Sequence, residues 1–113
     1  MKVNLGKSLS EELLKMTYKI KISEEAELDL DDAYQWYESQ VNQLGSELIR
    51  VVDQNLALIQ QNPLAYPIIY NNVRRKLLPR FPYGLFYVIH DDIIFILAFF
   101  HVKRDPQQWK KRF

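Results

Sequence analysis

Residues 85–101, LFYVIHDDIIFILAFFH, decide the fold of this chain. Two apolar runs meet at Asp91-Asp92, and a connection that short predicts an antiparallel hairpin. Residues 95–100 are apolar at every position, the pattern of a central strand covered on both faces. A shorter strand is expected before the hairpin over residues 73–78, closed by Pro79. Beyond it, Asp105 stands as an N-cap with Pro106 at the first helical position, which predicts a short terminal helix carrying Trp109.

Upstream, Tyr18, Ile20 and Ile22 alternate with Thr17, Lys19 and Lys21, the period of a strand with one buried face. Ser23 then occupies an N-cap position, with Glu24, Glu25 and Glu27 in the first turn, where the helix dipole favours negative charge. Ala26, Leu30, Ala33, Tyr37, Val41 and Leu44 recur at steps of three and four and form the buried stripe of this first helix, which Gly45 is expected to break. A second helix is expected over residues 46–61, with Leu48, Ile49, Val52, Leu56 and Ile59 inward and Asn62-Pro63 as its stop. Helices so close in sequence form an antiparallel hairpin. The order strand, helix, helix, three strands, short helix describes an α+β fold: a helical hairpin packed on a small, largely antiparallel sheet. Residues 17–113 read as one domain and residues 1–16 as an N-terminal extension. Within the extension, Ser8 and Glu11 have the spacing of a capping box, but a helix of one or two turns persists only if it docks.

Composition narrows the function classes. A chain of 113 residues is long enough to bury a core without disulfides or metal. With no cysteine, a disulfide scaffold and a thiolate zinc site are excluded, and a reducing, cytoplasmic setting is expected. The carboxylates between Glu24 and Asp32 share a helix with no histidine nearby, so no metal or cofactor is expected. Residues 93–100 form the longest apolar run, far below the roughly 20 residues that cross a bilayer, so no membrane partner is expected. The net charge of +1 hides a segregation: +3 over residues 1–22, −8 over residues 23–62 and +6 over residues 63–113. Such asymmetry concerns partners rather than fold, and the basic layer is the expected contact surface for nucleic acid or an acidic protein.

Several short motifs add to this reading. The acidic helix through Ala26, Glu27 and Asp32 with Tyr34 and Tyr37, the run from Arg74-Arg75 to Phe81-Pro82-Tyr83, the Leu85-Phe86-Tyr87 strand and His101-x-x-Arg104-Asp105-Pro106-x-x-Trp109 together resemble the RelE/ParE superfamily of bacterial toxins. The likeness spans residues 17–112. It implies a type II toxin-antitoxin module of the plasmid-stabilization kind, in which an antitoxin protein wraps and silences a toxin that otherwise arrests growth.

The superfamily divides by target. Members of the RelE-like branch cleave mRNA in the ribosomal A site, and on that branch His101 and Arg104 would be catalytic. Attack of a 2′-hydroxyl on the adjacent phosphate needs a proton-transfer group and cations around the phosphorane. Arg75, Lys76 and Arg80 on or beside one strand, with His101, Lys103 and Arg104 at the end of another, offer both, and Trp109 offers a base-stacking surface. Gly84 departs from the ribonuclease pattern, whose members tend to carry arginine after the equivalent of Tyr83. The ParE-like branch, with Phe-Pro-Tyr followed by His-x-x-Arg-Asp-Pro and Trp, is the closer resemblance. It implies a binding inhibitor of DNA gyrase with no catalytic residue. On that branch Arg75, Lys76, Arg80, Tyr83, Lys103, Trp109 and Arg112 form a docking surface, and a degenerate toxin fold without activity is the third alternative. An antitoxin segment that folds on contact would place acidic side chains opposite Lys19, Lys21, Arg75 or Arg80.

Each residue also has a structural reading. His101 is expected on the strand face of Phe99 and Leu97, where it would cap the sheet edge. Trp109 would be a lid on the sheet. Arg74, Arg75 and Lys76 alternate between two faces, so at most two can meet one ligand. Arg80, in a loop after Pro79, is freer to reach a partner.

Overall fold

The structure is a computed structural model that describes residues 18–113. The expected extension of residues 1–16 lies outside the described residues. The elements are β1 (Lys19–Ile22), α1 (Glu24–Gln40), α2 (Leu44–Gln61), a 3₁₀ turn (Pro63–Ala65), β2 (Ile68–Tyr70), β3 (Val73–Leu77), β4 (Tyr83–His90), β5 (Ile93–His101) and α3 (Pro106–Arg112). The strands form one sheet in the order β1-β5-β4-β3-β2. Among the described residues only β1 and β5 run parallel, with Lys19 opposite Ile93 and Ile22 opposite Ile96; the other pairs are antiparallel. The expected α+β architecture is therefore present, with β2 as a strand that sequence periodicity did not reveal.

Local chemistry explains the helix boundaries. The Ser23 hydroxyl accepts a hydrogen bond from the Ala26 amide at 3.0 Å and so caps α1. The helix ends at Gln40, short of the expected stripe, and Val41 is an exposed C-cap with extended backbone. Gln43 then adopts a left-handed φ of 72°, and the Glu38 carboxylate accepts from the amides of Gln43 and Gly45, each at 2.9 Å. Gly45 is not the expected breaker. It sits buried inside the first turn of α2, where an added Cβ would lie 2.7 Å from the Tyr34 carbonyl oxygen, so its role is close helix–helix approach. Leu44 accordingly belongs to α2 and packs on the core from there.

The helical hairpin covers one face of the sheet. Leu48, Val52 and Ile59 from α2 meet Leu85, Tyr87, Ile94, Ile96 and Phe99 from the central strands. Tyr87 is fully buried and its hydroxyl donates to the Pro63 carbonyl at 2.6 Å. Burial pushes that phenol up to about 12. Asn55, also buried, donates to the Val51 carbonyl and accepts from Lys76 at 2.5 Å, so its amide is satisfied on both sides. The opposite face carries a smaller cluster of Val73, Phe86, Ala98 and Phe100, over which Trp109 and Phe113 close.

A β-bulge distributes β5 between these two layers. Phe86 lies opposite Ala98 but Tyr87 lies opposite Ile96, which leaves Leu97 as the extra residue. Ile94 and Ile96 face the helices before the bulge, and Phe99 faces them after it, whereas Leu97, Ala98 and Phe100 belong to the other cluster. The expectation that His101 shares a face with both Phe99 and Leu97 is thus corrected. His101 keeps company with Phe99, and the extra residue moves Leu97 to the far side.

Candidate functional site

The parallel strand β1 stops at Ile22, opposite Ile96, while β5 continues to His101. The end of β5 therefore has no strand beside it on that side, and α1 takes the vacant place. Its Asp29 carboxylate accepts from the Phe99 amide at 3.0 Å, and the Leu97 carbonyl accepts from the Ser23 hydroxyl at 3.4 Å and from Arg112 at 3.2 Å. Because a helix cannot pack on a strand end as tightly as another strand does, a groove of about 480 Å³ opens between them. Asp29, Asp32, Ala33 and Trp36 form its α1 wall; Tyr83, Phe99, His101 and Arg104 form the sheet wall. A recess of about 270 Å³ between Trp36, Tyr37, Tyr83 and His101 adjoins it.

The rings of the groove pack against one another. Tyr83 stacks on Phe99 with centroids 4.6 Å apart and planes within 6°, and it meets His101 edge-on at 5.2 Å. Tyr37 meets Phe81 edge-on at 5.2 Å and Trp36 at 4.9 Å. Burial, and then the neighbouring Tyr37, raises the Tyr83 phenol above its ordinary value, so at neutral pH it is an uncharged donor. His101 accepts the Lys103 amide on Nδ1 at 3.0 Å. A neutral ring then carries its proton on Nε2.

At the other end of the groove Asp29 also anchors the C-terminal helix. Arg112 reaches its Oδ2 at 2.9 Å and the Glu25 carboxylate at 3.1 Å. The same guanidinium lies 4.9 Å from the centre of the Phe100 ring, and that of Arg104 lies 4.2 Å from it. A second cavity of about 180 Å³ lies there among Phe100, Arg104, Gln108, Lys111 and Arg112.

The site residues expected from sequence fall into several places. His101, Tyr83 and Arg104 meet at the groove. Arg75 lies on the far face, its guanidinium 5.7 Å from the Trp109 ring and 6.0 Å from Phe86. Its side chain runs over Gly84, where an added Cβ would stand 3.0 Å from Arg75 Cγ. Trp109 packs edge-on to Phe86 at 5.2 Å as a lid on the sheet. Lys76 points the other way, to Asn55, and burial lowers its pKa. Arg80 is paired with Glu47, which also binds Arg50. Those two hydrogen bonds, Arg50 first, hold the Glu47 carboxyl at about 2. Lys19 and Lys21 are exposed on the edge strand β1, and Lys103 is exposed in the turn after β5.

With this geometry in hand, the sequence matches the ParE toxin of type II toxin-antitoxin system, parDE, over residues 20–106. This chain belongs to the ParE toxin family. Among solved structures it is similar to a chain of the chromosomal ParDE TA system from P. aeruginosa, with a TM-score of 0.69 at 20% identity. That superposition covers 76% of this chain and 97% of the other, and shows a shared fold. No curated protein gives a significant match.

Every groove residue of this ParE family member, from Asp29 to Arg104, lies inside the matched segment, whereas Trp109 and Arg112 lie beyond it. The α1 wall of the groove escaped the sequence reading. Trp36 stands one position off the buried stripe and is 57% exposed, and an aromatic on an otherwise charged helix face was the available signal. Among the described residues no helix is long and apolar enough to cross a membrane.

Proposed function

We propose that this ParE family member arrests growth by binding DNA gyrase in the cytoplasm, and that a cognate antitoxin silences it. The observation that carries this reading is that most of the cations a ribonuclease would gather around one phosphate are engaged away from His101. His101 and Arg104 both line the groove, but Arg75 lies on the far face against Trp109. Lys76 is bound to Asn55 and Arg80 to Glu47. Phosphoryl transfer demands a proton carrier and cations around one phosphate. A binding inhibitor instead needs rigid aromatic anchors with a polar surround, which Trp36, Tyr37 and Tyr83 supply. The antitoxin would add acidic contacts at Lys19, Lys21, Arg75 and Arg80.

The test is to assay one purified sample for gyrase supercoiling and for ribosome-dependent mRNA cleavage side by side. Inhibited supercoiling with intact RNA, reversed by the cognate antitoxin, is the expected result. Codon-phased RNA cuts would overturn the proposal and make His101 and Arg104 catalytic. Absence of both activities, with growth unaffected on induction, would identify a degenerate toxin fold.

A further inference from the structure

We infer that the recess between Trp36, Tyr37, Tyr83 and His101 receives one cationic side chain, a lysine or arginine, from a partner protein. The inference rests on the reading of the groove as a protein-docking surface and adds the chemistry of what enters it.

Three features select a cation. First, aromatic rings make up most of the recess, and ring faces attract ammonium and guanidinium groups through their quadrupoles. Second, Asp32 lines the adjoining groove and has no ion pair among the described residues, while Asp29 is already matched by Arg112. A cation entering through the groove would meet this carboxylate on its way to the recess, and an apolar side chain would gain nothing from it. Third, the toxin's own cations are directed elsewhere. Arg104, the one Lys or Arg among the described residues lining the groove, carries its guanidinium onto Phe100.

The surroundings say which kind of molecule presents the cation. Helix α1 holds Glu24, Glu25, Glu27, Asp29, Asp31, Asp32 and Glu38 with no lysine or arginine. A nucleic acid entering the groove would bring its phosphates against this wall, and a basic protein segment would be drawn to it. The volume of about 270 Å³ admits the end of one long side chain, and the wider groove beside it admits the chain that carries it.

The experiment titrates the full-length protein with N-acetyl-arginine amide, N-acetyl-lysine amide and, as an uncharged counterpart of similar length, N-acetyl-norleucine amide. Binding is followed by NMR at the Trp36 indole N–H and the Tyr83 ring. Saturable shifts with the two cationic probes and much weaker ones with norleucine amide are expected. Trp36→Ala should weaken binding about tenfold, read at Tyr83. Trp36→Phe should retain most of the affinity, and Asp32→Asn should narrow the preference for charge. Equal shifts with norleucine amide would overturn the inference in favour of an apolar occupant. Shifts with a single-stranded oligonucleotide but not with the cationic probes would overturn it in favour of nucleic acid. The titration is independent of gyrase, so cation binding with no supercoiling inhibition would sink the gyrase reading alone, and the converse result would sink this one alone.

Discussion

Replacing Asp29 by alanine should unfasten two parts of the molecule at once. The carboxylate is 13% exposed and accepts from the Phe99 amide at 3.0 Å and from Arg112 Nη1 at 2.9 Å and Nη2 at 3.3 Å. Alanine leaves the Phe99 N–H without a partner at the strand end, at a cost of about 1–3 kcal/mol. Arg112 keeps the Leu97 carbonyl and Glu25, so the lost pair adds roughly 1 kcal/mol, for a total near 3 kcal/mol. For a domain of this size that is a fall in melting temperature of about 12–24 °C. Asp29→Asn keeps an acceptor for Phe99 and should lose only about 1 kcal/mol. Urea unfolding at neutral pH, with hydrogen exchange read at the Phe99 amide, measures both. A loss below about 0.5 kcal/mol for the alanine variant, or equal losses for the two variants, would refute the reasoning.

Three further outcomes follow from the packing. Tyr87→Phe removes the bond to the Pro63 carbonyl and should cost about 1 kcal/mol at neutral pH. The wild-type phenol is raised to about 12 when folded, so its contribution is present below the unfolded value near 10 and fades as pH climbs between them. Urea melts along that alkaline limb should therefore be flatter for the phenylalanine variant. Glu47, held at about 2 by Arg50 and Arg80, stabilises the fold above the usual carboxyl range and ceases to do so as pH falls toward 2. Its exposure makes the effect small, so Glu47→Gln should flatten the acid limb only slightly, and the difference should vanish in about 1 M salt. Gly45→Ala would set a Cβ 2.7 Å from the Tyr34 carbonyl and 2.8 Å from its ring. Overpacking of about 1–3 kcal/mol should outweigh the roughly 1 kcal/mol gain in helix propensity. A variant more stable than wild type would contradict the close approach of the two helices.

What could be read from the sequence tracks how much each signal depends on neighbours. The bounds of β5, the Ser23 and Asp105 caps and the opposite directions of Arg75 and Lys76 follow from local chemistry, and all appear in the structure. Strand β2 has three residues after Pro67, too few for a period to show. The bulge at Leu97 falls in a run where every residue is apolar, so no alternation records the change of face. Gly45 carries the signature of a breaker, and only the position of Tyr34 reveals a contact instead. The groove was hidden for a related reason. Its walls come from residues 29–36 and 83–104, and it exists because β1 is shorter than β5, a property of pairing rather than of either segment.

The parallel pairing of β1 with β5 also bears on when the protein becomes competent during its synthesis. Lys19 waits for Ile93, and Asp29 waits for Phe99 and then Arg112. The helical hairpin is local and can form while the ribosome is still translating the sheet, but its acidic wall has nothing to face until β5 has been made. A nascent molecule thus carries no completed groove, and truncated products ending before β5 carry none at all. The groove is therefore completed in one step, only after β5 and α3 have been added to everything before them.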